Sequence, residues 1–292
     1  MSLRLLVLGA SGQVGSALSA LHSPALQIDP VRRSQADLLN PDLCVRIINS
    51  TTADAVINAA AFTDVDSAER MPDIAMQVNA IAPGKMAKAA AQRGLPFLHI
   101  STDYVFDGAG TTPWAEDDLA NPLNAYGVSK YQGELEVLGA GGPSAVLRTS
   151  WVHDGTGKNF VQAMRRAATS GKPLRIIDDQ WGGPTSAKAI ANALVIMARA
   201  FVADNGRNGV YHFQGEPWVT WYGFAKAIFA RSGLPETPSI TPISSAEWPT
   251  PATRPLNGRL NCSRILRTFG IRQPNWRQDL TEMLLTEVEP AT

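Results

Sequence analysis

Cysteine is almost missing from this 292-residue chain: Cys44 and Cys262 lie far apart and form no C-x-x-C pair. That argues against a disulfide framework or a cysteine-rich zinc site and fits a reducing, cytoplasmic compartment. Histidine is sparse too. His22, His99, His153 and His212 show no ligand spacing, so each reads as a core or surface residue rather than part of a metal site. Charge of one sign is lacking too. Lys+Arg and Asp+Glu both total 26, which leaves no general attraction for nucleic acid or an anionic membrane. Nor is there a long apolar run. Leu3–Leu8 leads at once into a glycine turn and reads as a buried strand instead of a secretory signal, while the stretch around Ala189–Ala203 is broken by Arg199 and is too short to span a bilayer.

What is present is alternation. Short apolar runs (Arg4–Leu8, Leu26–Asp29, Ala55–Asn58, Phe97–Ile100, Ala145–Arg148) take turns with helical patterns, the mark of βαβ units on a parallel sheet. Asn40-Pro41 opens a helix over Asp42–Ser50, and an alanine-rich helix is predicted over Asn79–Arg93, stopped by Gly94 and Pro96. Tyr126–Leu138 reads as another helix. Beyond Trp151 the texture changes: proline gathers between Pro235 and Pro255, and Trp218, Trp221, Trp248 and Trp276 read as core or loop anchors. The predicted fold class is α/β, a Rossmann-type doubly wound parallel sheet with a smaller α/β carboxy-terminal domain. Residues 1–150 form the first unit, with 176–215 returning to it; 151–175 and 216–292 form the second.

Gly9-Ala10-Ser11-Gly12-Gln13-Val14-Gly15 follows the first strand and opens a helix. Missing side chains let the backbone approach a pyrophosphate, and the helix N-terminus stabilises its charge. The spacing is G-x-x-G-x-x-G, so strand–turn–helix position, more than the glycines themselves, points to a dinucleotide. Asp29, ending the second strand, is a candidate for the adenosine ribose hydroxyls, whereas Arg32 and Arg33 suit a 2′-phosphate; NADH and NADPH both stay open. Asp37 and Leu38 are candidates for the adenine side.

Tyr126-Gly127-Val128-Ser129-Lys130 places a phenol and an ammonium one helical turn apart on one face. A free tyrosine titrates near ~10, and a neighbouring cation stabilises its phenolate, which suits it to give a proton to a carbonyl oxygen. Such a pair is common on its own. Here Ser101-Thr102-Asp103 and Asn58-Ala59-Ala60-Ala61 also end strands at the carboxyl edge, where α/β sheets bind ligands, and Thr102 can hydrogen-bond the same carbonyl or phenol. Asp64, Asp66 and Glu69 read as a solvated helix start, not as a metal cluster.

In this order, the glycine turn, Asn-Ala-Ala-Ala, Ser-Thr-Asp-Tyr-Val-Phe and Tyr-x-x-x-Lys resemble the extended short-chain dehydrogenase/reductase family, and within it the dTDP-4-dehydrorhamnose reductases. The resemblance runs through Gly9–Gly15, Val56–Glu69, Ser101–Gly108, Asn121–Lys130, Arg148–Trp151, Asp178–Thr185, Tyr211–Phe213 and Pro251–Leu260. It implies Tyr126 as proton donor, Lys130 on the nicotinamide ribose and Thr102 tuning the acid. Gly9, Ser11, Gly12, Gln13, Val14, Gly15, Ala59, Ala60, Ala61, Phe62 and Thr63 would line the cofactor channel. Thr102, Asp103 and Trp151 would face a dTDP-sugar, with Arg254 and Asn257 suited to its diphosphate or thymine side.

Two positions depart from the family pattern: Gly258 stands where serine is usual, and His153 where tyrosine is. Some relatives bind magnesium at a dimer contact; no position here is assigned to it, and the protein is expected to be a monomer or homodimer. The implied reaction is reduction of the 4-keto group of dTDP-4-dehydro-L-rhamnose. The alternatives are another dTDP-4-keto-6-deoxy sugar, or a non-catalytic NADP-binding regulatory subunit like the methionine adenosyltransferase β subunit.

Overall fold

The computed structural model describes residues 2–169, 172–203, 207–232 and 238–286, so Pro235 and the final six residues of the predicted second unit lie outside the described residues. In chain order the amino-terminal part runs β1 (Leu3–Leu8), α1 (Gln13–Ala20), β2 (Leu26–Val31), α2 (Pro41–Ser50) and β3 (Ala55–Asn58). Two short helices follow, α3 (Val65–Arg70) and α4 (Pro72–Met76), then α5 (Ala82–Gln92), β4 (Phe97–Thr102), α6 (Ala125–Leu138) and β5 (Ser144–Thr149). The chain continues through β6 (Val152–His153), α7 (Phe160–Ala168), β7 (Leu174–Ile177), β8 (Trp181–Gly182), β9 (Thr185–Ser186), α8 (Ala187–Ala203) and β10 (Gly209–His212). It ends with β11 (Val219–Thr220), α9 (Trp221–Arg231), β12 (Ile240–Ile243), α10 (Ser263–Phe269) and α11 (Trp276–Thr286).

Among the described residues, six strands form one parallel sheet in the order β10-β5-β4-β3-β1-β2. Every residue of β3 and of β5 is buried, as strands covered on both faces are. On one face Leu5, Val7, Leu98 and Leu147 pack with Leu18 of α1 and Ile190, Leu194 and Met197 of α8. On the other, Leu6, Leu8, Val56 and Val146 pack with Cys44 and Ile48 of α2 and Met86 and Ala90 of α5. A separate core joins α7, α9 and α11 through Val161, Phe224, Ile228, Trp276 and Leu280. β7 lies beside β12 and β8 beside β11, and main-sheet contact resumes with α8 and β10. Strand order reverses between β1 and β3, and the crevice beyond their carboxyl ends is where such sheets bind ligands.

The predicted helix over Asn79–Arg93 differs in detail. The chain is already helical from Pro72, widens to a π-turn over Gln77–Ile81, and only then becomes α5. Pro83 explains the widening: it has no N–H for the Asn79 carbonyl, and its ring crowds the preceding turn. Asn79 is thereby set facing inward. Among the described residues no helix is long and apolar enough to cross a membrane.

Candidate active site

A cleft of about 950 Å³ opens at the carboxyl ends of β1, β3, β4 and β5. Its floor is the glycine turn. Gly9 has φ +83°, and a Cβ there would sit 2.5 Å from the Ala60 backbone nitrogen; one on Gly15 would sit 2.1 Å from the Gly9 carbonyl oxygen. A bare backbone is required at both, and the resulting cradle leads into the N-terminus of α1. These are the demands a dinucleotide pyrophosphate makes, so the residues present fit that group. Gly9, Ser11, Gly12, Gln13 and Val14 line the cleft with Ala59–Thr63, and Arg33, Asp37 and Leu38 line its outer end.

Two residues expected there lie elsewhere. β2 runs on to Val31, so Asp29 is a mid-strand residue whose carboxylate takes both Nε (2.8 Å) and Nη2 (3.1 Å) of Arg4. Arg32 does not line the cleft either; its backbone N–H donates to Gln35. Arg33 is the guanidinium at the rim, 2.9 Å from Asp37. Gly15 serves from below the floor.

Thr102, Asp103, Tyr126 and Lys130 all line the inner cleft. The 3-10 turn Asp103–Val105 begins where Thr102 Oγ1 accepts the Tyr104 N–H at 3.2 Å, which turns Thr102 and Asp103 toward α6. Helix α6 starts at Asn124, whose Oδ1 accepts the Gly127 N–H and whose Nδ2 donates to the Thr253 carbonyl, both at 2.8 Å. A Cβ on Gly127 would lie 2.2 Å from the Tyr104 carbonyl oxygen, so the glycine inside Tyr-Gly-Val-Ser-Lys is what lets the helix press onto that turn. The Tyr126 ring meets Tyr104 edge-on, with centroids 5.8 Å apart.

Burial raises the Tyr126 phenol to about 12, against a lowering contribution from the Thr102 hydrogen bond. The ammonium expected to draw it down is turned elsewhere: Lys130 Nζ donates to the Ile100 carbonyl at 2.7 Å and lies 3.2 Å from His99 Nε2. Burial brings Lys130 down to about 8, with Glu134 opposing. Burial also raises Asp103 to about 7, its Oδ1 accepting the Thr102 hydroxyl at 3.1 Å. Asp103 Oδ2 abuts Gly258, where a Cβ would be 2.3 Å away, so the departure from serine at 258 leaves room that this carboxyl occupies.

Trp151 lies on the cleft wall with φ +47°, stacked on Trp221 at 3.5 Å between centroids and 10° between planes. Gly182 packs against the same indole, where a Cβ would sit 2.6 Å from Cε2. Arg254 and Asn257 do not line the cleft. Arg254 donates to both carboxylate oxygens of Asp66 (2.8 and 3.1 Å), and the Asn257 side chain donates to the Thr112 carbonyl. Asp66 is therefore no solvated helix residue, and Glu69 caps α6 by accepting the Ala125 N–H at 2.7 Å; Asp64 alone of the three caps its own helix.

Composition and spacing gave no hint of four contributors. Asn79, buried at the π-turn, accepts the Phe62 N–H and donates to the Phe62 carbonyl and Ser129, tying the cleft loop to α6. Trp221 and Lys158 line the cleft, and His99 touches Lys130. Proline at 83 was the one available signal, marking where the helix must open. Among the described residues, no group of three or more His, Cys, Asp or Glu could hold a metal ion.

The family described as RmlD substrate binding domain matches residues 3–288. A Sinorhizobium fredii protein named dTDP-4-dehydrorhamnose reductase is 39% identical over 286 residues, covering 97% of each chain. Among solved structures, a dTDP-4-dehydrorhamnose reductase from Clostridium acetobutylicum aligns with TM-score 0.90 at 32% identity, covering 98% of this chain and 100% of that one. A Bacillus anthracis dTDP-4-dehydrorhamnose reductase in complex with NADP aligns with TM-score 0.89 at 30% identity, with the same coverage.

Proposed function

The chain belongs to the RmlD substrate binding domain family, and from that membership we propose that it reduces the 4-keto group of dTDP-4-dehydro-L-rhamnose to dTDP-L-rhamnose with NAD(P)H. The observation that carries this reading is the convergence of Thr102, Tyr126 and Lys130 on the cleft floored by Gly9–Val14. When bound, the nicotinamide supplies the hydride received at C4 of the sugar. Tyr126 gives its phenolic proton to the ketone oxygen as that oxygen gains charge, a contribution of about 10²–10⁴ in rate. Thr102 Oγ1 steadies the phenol, and Lys130 as an ammonium on the ribose stabilises the phenolate left behind. Asp103, Trp151 and the Trp221 beside it form the wall met by the sugar, while Ala59–Thr63 and Asp37–Leu38 hold the cofactor's length.

We read residues 1–150 with α8 and β10 as the cofactor-binding unit, and the α7, α9 and α11 core as the substrate-binding unit. Two buried free cysteines suit a reducing, cytoplasmic setting. The test is NADPH oxidation with enzymatically prepared dTDP-4-dehydro-L-rhamnose. Wild-type turnover with a loss of at least about 100-fold in Tyr126→Phe is expected; turnover that survives the phenylalanine would remove Tyr126 as the acid, and no turnover at all would remove the substrate.

A further inference from the structure

His99 lies on β4 beneath the cleft, wholly buried. Its ring Nδ1 is 3.0 Å from Asn58 Nδ2, and its Nε2 is 3.2 Å from Lys130 Nζ. The direction of these bonds can be worked out from their far end. The Ala60 backbone N–H meets the Asn58 side chain at 3.2 Å, and a backbone N–H can only donate, so the atom there is Oδ1. The Asn58 NH2 group therefore faces His99 Nδ1, which must accept. A neutral imidazole that accepts at Nδ1 carries its proton on Nε2. That proton points at Lys130 Nζ, which must offer a lone pair while one of its own N–H groups donates to the Ile100 carbonyl at 2.7 Å.

We propose that His99 is a positioning residue of this site: wired by Asn58, it donates its Nε2 proton to Lys130 and holds that lysine as a free amine until a dinucleotide binds. The inference rests on the reductase reading for its purpose, though not for its geometry. Nothing packed around the pair contradicts it. Burial lowers both His99 and Lys130. The anion facing Lys130 is Glu134 of α6, which Arg148 of β5 engages at 2.6 Å; Thr102 and Asp103 of β4 and Tyr126 of α6 stand on the cleft side.

An ammonium at Nζ would set N–H against N–H. Charging Lys130 thus reverses the chain: one proton enters from solvent at Nζ, the ring proton passes by exchange from Nε2 to Nδ1, and Asn58 turns its oxygen to the ring. Ala60 N–H then loses its acceptor. Ala60 lines the cleft beside Gly9, so the freed N–H lies at the cofactor's end of the chain, and arrival of the cofactor is coupled to charging of the lysine.

Two measurements decide this. In ¹⁵N-histidine-labelled protein without cofactor, His99 should show an unprotonated Nδ1 and a protonated Nε2 at pH 9, above the value of about 8 to which burial brings Lys130, shifting toward protonated Nδ1 when NADPH is added. A protonated Nδ1 or an imidazolium before NADPH overturns the proposal. Calorimetry of NADPH binding near pH 8, in buffers of different ionisation enthalpy, should show net proton uptake of roughly half a proton or more. His99→Gln, which can accept from Asn58 at Oε1 and donate to Nζ at Nε2, should keep that uptake. Wild-type binding with no uptake also overturns the proposal. Both readouts are independent of the sugar: absent turnover on the ketone would defeat the reductase reading and leave them intact.

Discussion

Arg148→Met should be among the most damaging single substitutions in the chain. Arg148 on β5 and Glu134 on α6 are 4% and 1% exposed, and the guanidinium contacts both carboxylate oxygens at 2.6–3.2 Å through Nε and Nη2. It also lies 5.0 Å from the Phe106 ring centroid and approaches the Glu116 carbonyl and His212. Methionine fills much of the same space but leaves the Glu134 carboxylate buried without its counter-ion. Breaking a buried pair from one side costs about 3–5 kcal/mol, whereas replacing both members with apolar groups is often near neutral. Denaturant melts at pH 7 should therefore show Arg148→Met losing about 3–5 kcal/mol, with Arg148→Met/Glu134→Leu recovering roughly half or more of that. Recovery stays incomplete because His212 and the Glu116 carbonyl also lose a donor. A single-variant loss below about 1 kcal/mol, or a double variant as poor as the two singles added, would refute the assignment of this pair as a desolvated, mutually dependent unit.

Gly9→Ala should abolish NADPH binding by fluorescence titration, since φ +83° and the 2.5 Å approach to Ala60 together deny a side chain any place on the cleft floor. Arg33→Ala should raise KM for NADPH by roughly tenfold and leave NADH nearly unchanged, because Arg33 is the guanidinium at the outer end of the cleft; equal effects on both cofactors would take the 2′-phosphate away from it. Asp103 is raised to about 7, above its unfolded value, so the folded state keeps this proton longer than the unfolded chain does. Its stabilising share is present below the unfolded value near ~4 and is lost as pH climbs to about 7. Asp103→Asn should accordingly gain in stability relative to wild type between pH 5 and pH 8, read by melts at both. Gly182→Ala should displace the Trp151 ring, against which its Cβ would sit 2.6 Å away, and raise KM for the sugar nucleotide more than it lowers kcat.

How much of this could be read from residues alone follows from how local each signal is. That Thr102, Tyr126 and Lys130 line one cleft was legible because each sits in a short motif at a strand end or on one helix face, and parallel-sheet topology then carries strand ends to a common rim. Asp29 misled for a comparably local reason. An acid near the end of an apolar run resembles the last residue of a strand, but β2 continues through Pro30 and Val31, and the ladder sets Asp29 where Arg4 of β1 can reach it. Arg254 and Asp66 are 188 positions apart, so no spacing rule joins them; a guanidinium that reads as free for phosphate is committed to a carboxylate by the fold.

His99 is the most instructive case. Lone histidines in apolar strands are mostly core residues, and by burial His99 is one. What separates it from its class is the polarity of three hydrogen bonds, begun by a backbone N–H at Ala60 and ending at the amine of Lys130. That polarity exists only once β3, β4 and α6 are packed together. Chemistry carried by a side chain's own type can be found in a sequence. Chemistry carried by the direction of a bond belongs to the tertiary structure, so the charge of Lys130 is set by residues 31 and 72 positions before it and not by the motif that contains it.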